Sequence, residues 1–250
     1  MRFLFAFFIL ISNLLTAQIN VIDAEGRKQG TWEKYWDTTQ TVLQYKGQFA
    51  NDLPVGEFWY YYPSGEVRAV IEHLSYRRSF VTFYFKNKQA MSEGMYLDQK
   101  RDSLWINYNL QGYTVSMEKY RDGKLYGKKA MFYIQNQIDR GELKVLSETM
   151  YADSLKSGPY IEYFSSGIVK KRGTYGNDKE VGVWTTFDVK GMPVQACQYK
   201  KGLKHGWVYR YKSDSEVIAT SLYRRGELLK GKMKSAYLKE CERKGIDPND

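Results

Sequence analysis

Residues 182–206 contain the clearest copy of the sequence unit from which the fold is predicted. It reads Gly182-Val183-Trp184-Thr185-Thr186-Phe187, then Lys190-Gly191, then Tyr199-Lys200-Lys201-Gly202, and the same phrase begins again at Gly206. Short runs of aromatic and β-branched residues favour β-strands, and glycine provides the positive φ that a tight hairpin turn needs. Each copy of this unit therefore predicts two antiparallel strands joined by a turn.

The unit recurs along almost the whole chain at a period near 24 residues. Eight copies begin at Gly30, Gly56, Ser79, Ser103, Gly127, Gly158, Gly182 and Gly206. An aromatic residue stands five positions after each start, in a plus-five column of Tyr35, Tyr61, Tyr84, Tyr108, Phe132, Tyr163, Phe187 and Tyr211. Two positions after each start lies a plus-two column of Trp32, Phe58, Val81, Trp105, Lys129, Tyr160, Trp184 and Val208, apolar except at Lys129. A fixed period of this length is typical of stacked repeat proteins.

We therefore expect an all-β fold, an elongated and twisted array of about eight successive antiparallel hairpins, in which the plus-five aromatics are structural. The two columns are an odd number of residues apart, so in a regular strand they would face opposite sides of the sheet. Either both faces are partly covered or a β-bulge follows the glycine. The fifth unit is longer than its neighbours, which predicts an extended hairpin or a protruding loop between Ile134 and Ser154.

The two ends of the chain differ in texture from the repeats. Arg2 precedes a short apolar run that ends in the small residues Thr16 and Ala17, which is the layout of a secretory signal peptide. The run is short for a membrane span, although an uncleaved anchor stays open as the alternative. We expect a signal peptide over residues 1–17 and export to the periplasm or beyond, with the hairpin domain over residues 18–231.

Residues 232–250 predict a short C-terminal helix and a tail. Met233, Ala236 or Tyr237, and Cys241 share one helical stripe, and Gly245 is a suitable helix stop. A terminal helix that caps the last hairpin is the expected way to cover the open end of a stacked array.

The repeat resembles a known family, the bacterial variant of the MORN repeat. Tyr60-Tyr61-Tyr62-Pro63-Ser64-Gly65 and Tyr163-Phe164-Ser165-Ser166-Gly167 match its aromatic-aromatic-x-x-Gly signature, and the resemblance covers roughly residues 26–231. It implies successive hairpins in an elongated, twisted sheet and a role as an interaction scaffold, with no catalytic residue to carry over. Because this variant includes antitoxins of bacterial toxin–antitoxin pairs, the resemblance also implies a second hypothesis, an antitoxin or immunity protein that binds a toxin.

No catalytic, metal-binding or cofactor motif stands out in the sequence. His73 and His205 lack the partners of a catalytic triad, and with Cys197 and Cys241 they lack the spacing of a zinc site. The glycines recur once per unit and do not cluster as in a phosphate-binding loop. We therefore expect no enzyme and no cofactor, and a disulfide between the two cysteines stays open.

The leading hypothesis is an exported, non-enzymatic scaffold for protein–protein interaction. Net charge is +10, with Lys and Arg in every repeat, so contact with anionic lipid or cell-wall glycan is the alternative, self-association stays open and no nucleic acid is expected. The candidate partner-binding residues are aromatics outside the repeat columns and basic residues near them. They are Trp59, Tyr60, Tyr62, Arg77, Arg78, Phe83, Phe85, Trp207, Tyr209 and Arg210.

Overall fold

A computed structural model describes residues 18–212 and 216–250. The expected signal peptide, residues 1–17, lies outside the described residues. In the described part, 59% of the chain is β-structure, and nineteen strands form one open antiparallel sheet in hairpin order. The strands are β1 (Val21–Ile22), β2 (Lys28–Tyr35), β3 (Leu43–Ala50), β4 (Leu53–Tyr61), β5 (Val67–His73), β6 (Arg78–Tyr84), β7 (Ala90–Leu97), β8 (Lys100–Tyr108), β9 (Thr114–Arg121), β10 (Lys124–Leu125), β11 (Gly127–Phe132), β12 (Val145–Ala152), β13 (Leu155–Tyr163), β14 (Val169–Gly176), β15 (Lys179–Phe187), β16 (Pro193–Lys200), β17 (Leu203–Tyr211), β18 (Val217–Arg224) and β19 (Glu227–Leu229). The predicted fold class is confirmed.

Two kinds of turn alternate along the sheet. The turn inside a unit closes around a residue of positive φ, such as Gly65 at +95° or Gly191 at +84°. Most turns between units have two residues, both of positive φ, as in Asp122-Gly123 at +50° and +80°, while the turn between β5 and β6 has four residues and no positive φ. The two-residue turn is the type I′ hairpin turn, whose twist matches that of the strands it joins.

Hydrogen bonds join many neighbouring units at the two edges of the sheet. At one edge the second residue of a type I′ turn donates its N–H to a carbonyl one unit earlier, as from Gly202 to Glu180 at 2.9 Å and from Gly226 to Lys204 at 2.8 Å. At the other edge an aromatic residue donates to a carbonyl of the next unit, as from the Trp36 indole to Tyr61 at 3.3 Å. The units are therefore joined by more than their strand pairing.

The structure contains both of the arrangements that the odd spacing allowed. Gly56 has φ +65°, and the register of β3 against β4 shifts there, which is a β-bulge. The two columns nevertheless lie on opposite faces. The plus-five residue Tyr108 donates to the Oε1 atom of Glu93 at 2.7 Å, and Glu93 pairs with Ile106, the neighbour of Trp105 that faces away from the plus-two side. We call the face with the plus-two column the core face and the other the helix face.

The most buried residues form a belt along the core face. Phe58, Val81, Trp105, Trp184 and Val208, all from the plus-two column, expose 4% of their surface or less. In the plus-five column only Phe132 is buried among the described residues, and the tyrosines are half-buried. Both columns pack, but the plus-two column forms the core.

Glycines on neighbouring strands make room for the rings of this belt. A Cβ atom added at Gly47 or Gly94 would lie 2.5 Å from ring carbons of Phe58 or Trp105, and one added at Gly173 would lie closer still to Trp184. Each ring therefore lies flat against the backbone of the strand beside it. A single-layer sheet buries an indole in this way without a second layer.

The extra length of the fifth unit forms a helix, α1 (Ile134–Arg140), between β11 and β12. The expectation of an extended hairpin or a loop was therefore wrong. Because β11 ends at Phe132, it does not pair with the start of β9. The side-chain amide of Gln137 makes the hydrogen bonds to β9 in its place. Its Oε1 accepts the Thr114 N–H at 2.9 Å and its Nε2 donates to the Thr114 carbonyl at 2.8 Å.

The C-terminal helix, α2 (Gly231–Lys244), packs on the helix face. Tyr237 and Cys241 are buried against Leu222 and Leu229, and the helix ends at Gly245 in the left-handed conformation. The predicted capping helix is confirmed, but its stripe begins later than expected, because Met233 is 60% exposed.

Candidate protein-binding surface

Several of the predicted partner-binding aromatics pack within the fold. Tyr60 and Phe83 lie on the core face against the cluster around Trp105, and the Phe83 and Trp105 rings stack at 6.4 Å. Tyr62 is half-buried, and its hydroxyl donates to the Tyr84 carbonyl at 3.0 Å, which is one of the edge bonds between units. Phe85 is half-buried in the turn after β6. Their rings therefore contribute packing before they contribute any exposed surface.

The remaining predicted aromatics lie on the helix face. Trp59 is half-buried and donates from its indole to Glu57 Oε2 at 3.1 Å. Trp207 packs against α2, and Tyr209 lies beside it at 6.5 Å between ring centroids. The structure therefore places one of these aromatics on β4 and the other two on β17, near the C-terminal helix.

The predicted arginines are exposed but lie far apart in the sheet. Arg77 pairs with Asp98 across a unit boundary, Arg78 opens β6, and Arg210 lies on β17. The ten predicted residues therefore do not form one patch. Trp207 and Tyr209 lie together on the helix face, because they are alternate residues of one strand, whereas Arg210 shares the core face with Val208.

A polar cluster interrupts the core belt at Lys129, the non-apolar member of the plus-two column. Lys129 Nζ lies 2.7 Å from Glu118 Oε1, and the Tyr120 hydroxyl donates to Glu118 Oε2 at 2.8 Å. Burial raises the pKa of Glu118, but the hydrogen bonds from Lys129 and Tyr120 outweigh it, so that the pKa lies below its ordinary value. The carboxylate is thus ionised and fully partnered, as a buried charge must be to avoid a large desolvation cost. We assign this cluster a structural role.

Positive charge is concentrated in the last units and the helix. Residues 156–245 contain nineteen Lys and Arg but only nine Asp and Glu, an excess of ten that equals the net charge of the whole chain. Counting charge over the whole chain conceals this asymmetry, and a count for each half of the sequence would have found it. The C-terminal half therefore presents the surface best suited to an acidic partner.

A cleft lies at the C-terminal end of this positive region, between α2 and two type I′ turns. One wall is formed by the turns Lys201-Gly202 and Arg225-Gly226, and the other by the helix with Glu240 and Lys244. Leu203 and Ile246 line it with 50% and 45% of their surface exposed. The cleft is thus an exposed groove with apolar and charged walls.

The acidic side chain of the helix wall is already neutralised. Glu240 lies 2.6 Å from Lys244 Nζ and 3.5 Å from an Arg224 nitrogen, and these contacts hold the pKa of Glu240 below its ordinary value. Three further cations at the cleft, Lys200, Lys201 and Arg225, have no ion pair within residues 18–212 and 216–250. Asp250 is the other carboxylate in the lining, so the cations outnumber the carboxylates and the groove keeps a positive excess.

The far end of the cleft is closed by the C-terminal tail. His205 is buried, its Nδ1 accepts the Arg225 N–H at 3.3 Å, and its Nε2 therefore carries the proton that bonds Asp250 O at 2.8 Å. Asn249 Oδ1 accepts the Trp207 N–H at 2.9 Å. These bonds fix the tail, and with it Ile246, against the start of β17.

The structure separates the two cysteines and shows no clustered metal ligands. Cys197 is buried on the core face beside Trp184, and Cys241, a residue of α2, is buried between that helix and the helix face of the sheet, both as free thiols. In residues 18–212 and 216–250, no group of three or more His, Cys, Asp or Glu side chains could hold a metal ion. In the same residues, no helix has the length and apolar character needed to cross a bilayer.

Comparisons with known proteins do not indicate a function for this chain. No family model matches the chain, and neither does any curated protein. Among solved structures the chain is similar to TarM, with a TM-score of 0.26 and 14% identity over 50% of this chain and 19% of TarM. A mutant of S. aureus TarM in complex with fondaparinux, alpha-GlcNAc-glycerol and UDP has the same TM-score and coverage at 13% identity. Likeness at this level carries no argument about function.

Proposed function

We propose that this chain is an exported, non-enzymatic scaffold that binds another protein through the positive C-terminal half of its sheet. The observation that carries the proposal is the confinement of the whole net charge to residues 156–245. The predicted residues Trp207, Tyr209 and Arg210 lie in that region. An electrostatic excess of this kind speeds encounter with a partner of opposite charge and selects against partners of like charge.

Exposed apolar side chains on the helix face support contact with a protein. Val183, Val194 and Ile218, on β15, β16 and β18, expose 59%, 45% and 61% of their surface. Protein interfaces combine apolar area with a polar rim, and arginine and aromatic residues are enriched among those that contribute most to binding. The helix face of the last units offers both chemistries side by side.

The proposal is tested by capturing partners from an envelope extract with the full chain and two charge-reversal variants. Arg172→Glu changes an exposed cation on the helix face of β14, in the positive half, and Lys46→Glu is the matched control on the same face of β3. We expect one protein to bind the wild type and the control alike, and to bind Arg172→Glu several-fold more weakly. A purified copy of that protein should then bind in calorimetry, and the affinity should fall with salt.

Failure to recover any protein reproducibly would contradict the scaffold proposal. Equal retention of the partner by both variants would move the contact surface away from the positive half. Binding to anionic vesicles alone, without a protein partner, would replace the proposal with the lipid alternative.

A further inference from the structure

The two type I′ turns that flank the C-terminal cleft differ from the other type I′ turns in the residue type at their first position. Among the turns that the structure describes, five of this kind begin with Asn or Asp, whereas the last two begin with Lys201 and Arg225, at φ +54° and +49°. The other five first residues are Asn51, Asp98, Asp122, Asp153 and Asn177. Positive φ is disfavoured for long side chains, while Asn and Asp tolerate it. The hairpins therefore gain nothing from cations at these two positions.

Both exceptions line the same groove. The turns are one unit apart, and Lys201 and Arg225 contribute to one wall together with Lys200. Neither Lys201 nor Arg225 has an ion pair in the described part of the chain, so neither has a structural partner there that would explain it. Residues that violate local conformational preferences often do so for function.

The apolar side chains of the groove narrow the chemistry of its occupant. Leu203 and Ile246 are exposed between the cations of the turns and the helix wall, and Tyr237 lies beneath them. A ligand that carries only charge would leave both aliphatic side chains exposed to water. A ligand that carries only apolar groups would leave the cations without a partner of opposite charge. One extended segment with carboxylates on either side of a leucine-like side chain matches both.

We propose that this cleft binds an extended acidic segment of a partner protein, with an apolar side chain of that segment seated on Leu203 and Ile246. The inference rests on the proposed scaffold function and names the chemistry of its partner. Lys200, Lys201 and Arg225 meet the carboxylates. The segment lies along the groove between α2 and the two turns, where the tail residues Asp247–Asp250 close one end.

The test measures binding of a fluorescein-labelled peptide, Glu-Glu-Leu-Glu-Glu-Leu-Glu-Glu, to the full chain by fluorescence anisotropy. The key variant is Lys201→Asn/Arg225→Asn, which gives both turns the residue type found in other units. It should weaken binding about tenfold, since two exposed charge contacts are lost. Its melting temperature should not fall, because asparagine suits the positive φ better than lysine or arginine does.

A matched control separates the cleft from general charge. Lys88→Asn/Lys190→Asn removes the same charge from two other turns, and Lys88 also has a positive φ, of +70°. This control should keep the peptide affinity within about twofold, because screened charges outside the groove contribute little. A peptide with serine in place of both leucines should bind more weakly to the wild type.

Three results would overturn the proposal. They are unchanged affinity in Lys201→Asn/Arg225→Asn, equal weakening in the control variant, and binding of phosphatidylglycerol vesicles but not of the peptide. A partner captured equally well by wild type and Lys201→Asn/Arg225→Asn would sink the cleft assignment and leave the scaffold function standing. Peptide binding without any captured protein would contradict the scaffold function and leave the cleft's affinity for an acidic segment standing.

Discussion

The residues that matter most to this sheet are glycines that lie beneath rings. Trp105 is fully buried although the sheet is a single layer at that point, because Gly94 lets the indole lie on the backbone of β7. Phe83, Tyr96 and Tyr120 surround the ring, and Arg101 lies over it at 4.1 Å. Neighbouring side chains thus replace the second layer of an ordinary β-sandwich.

Adding one methyl group under the ring should therefore be costly. Gly94→Ala places a Cβ atom 2.5 Å from the Trp105 ring, so the ring must move, and we expect a loss of about 2 kcal/mol of unfolding free energy. Gly176→Ala is the control, because its Cβ atom would meet Val181 at an ordinary 3.5 Å. Urea unfolding measures both variants, and equal stability would show that the ring does not depend on the glycine.

His73 gives the sheet an acid-sensitive position. Burial lowers the pKa of His73 below its ordinary value, and its Nδ1 lies 3.0 Å from Ser79 Oγ. The unfolded chain, with a pKa of about 6.5, binds the proton first, so stability is lost as pH falls below that value and levels off below the folded pKa.

His73→Phe removes this titration and keeps a ring beside Phe58, where His73 makes an edge contact at 5.2 Å. The stability of the variant relative to wild type should therefore rise between pH 7.5 and pH 5, by the linkage of proton binding to folding. Urea unfolding at both pH values supplies the comparison, in which shifts of other groups cancel. If the difference in unfolding free energy between His73→Phe and wild type is the same at both pH values, the acid sensitivity comes from groups other than His73.

Among the elements, the hairpins were predictable and the helix in the fifth unit was not. Glycine-bearing turns and alternating aromatics are local signals, so strands such as β15 and β17 could be read directly from Gly182 and Gly206. α1 has no comparable signal, since Gln137 is needed only because β11 stops short of pairing with Thr114. The sequence shows that the fifth unit has extra residues, but their helical structure is explained only by the contact with the neighbouring strand β9.

The side chain of Gln137 should be the important part of α1. Gln137→Ala deletes two hydrogen bonds to Thr114, and we expect a loss of about 2 kcal/mol. Gln135→Ala, on the exposed side of the same helix, loses only a bond to Asp139 and should change stability little. Thermal unfolding distinguishes them, and a loss of the same size in both would mean that helix content matters more than the Thr114 bonds.

At the scale of the molecule, stability is local, because each strand touches little beyond its neighbours. Two buried clusters stand out among the described residues, one of Ala69, Val81 and Trp105 and one under α2 around Leu222. Repeat arrays of this kind are stabilised by their units and the interfaces between them, and they open from their ends.

Hydrogen exchange should therefore be uneven along the chain. Amides of β5–β8 and of β18 should exchange slowest, and those of the two-residue strand β1 should exchange fastest, because β1 pairs with β2 alone. Mass spectrometry of peptic fragments after timed labelling resolves these regions. Uniform protection would indicate a single cooperative unit in place of a graded array.

The cleft could not be predicted from the sequence, because its lining residues come from separate units and from the C-terminal tail. Lys201 and Arg225 are ordinary turn residues when each unit is read alone, and Ile246 belongs to a tail with no repeat pattern. They meet because α2 folds back on the helix face. The predicted residues Trp207 and Tyr209 lie nearby, because β17 begins at the cleft. The aromatic character that predicts Tyr60 and Phe83 as binding residues is explained by their packing on the core face.

The bonds that join each unit to the next have a consequence for how such a protein changes length. From β12 to β19 each boundary between units uses a type I′ turn and the same backbone bond to the preceding unit, so a whole period there can be removed or duplicated without creating a new kind of junction. Losing residues 158–181 would join Ser157 to Gly182, a serine before a unit glycine as it was before Gly158. Each period contributes two strands, or about 10 Å along the sheet. The distance from the first strand to the cleft can therefore change by whole periods, as through unequal recombination between copies. The cleft itself stays unchanged.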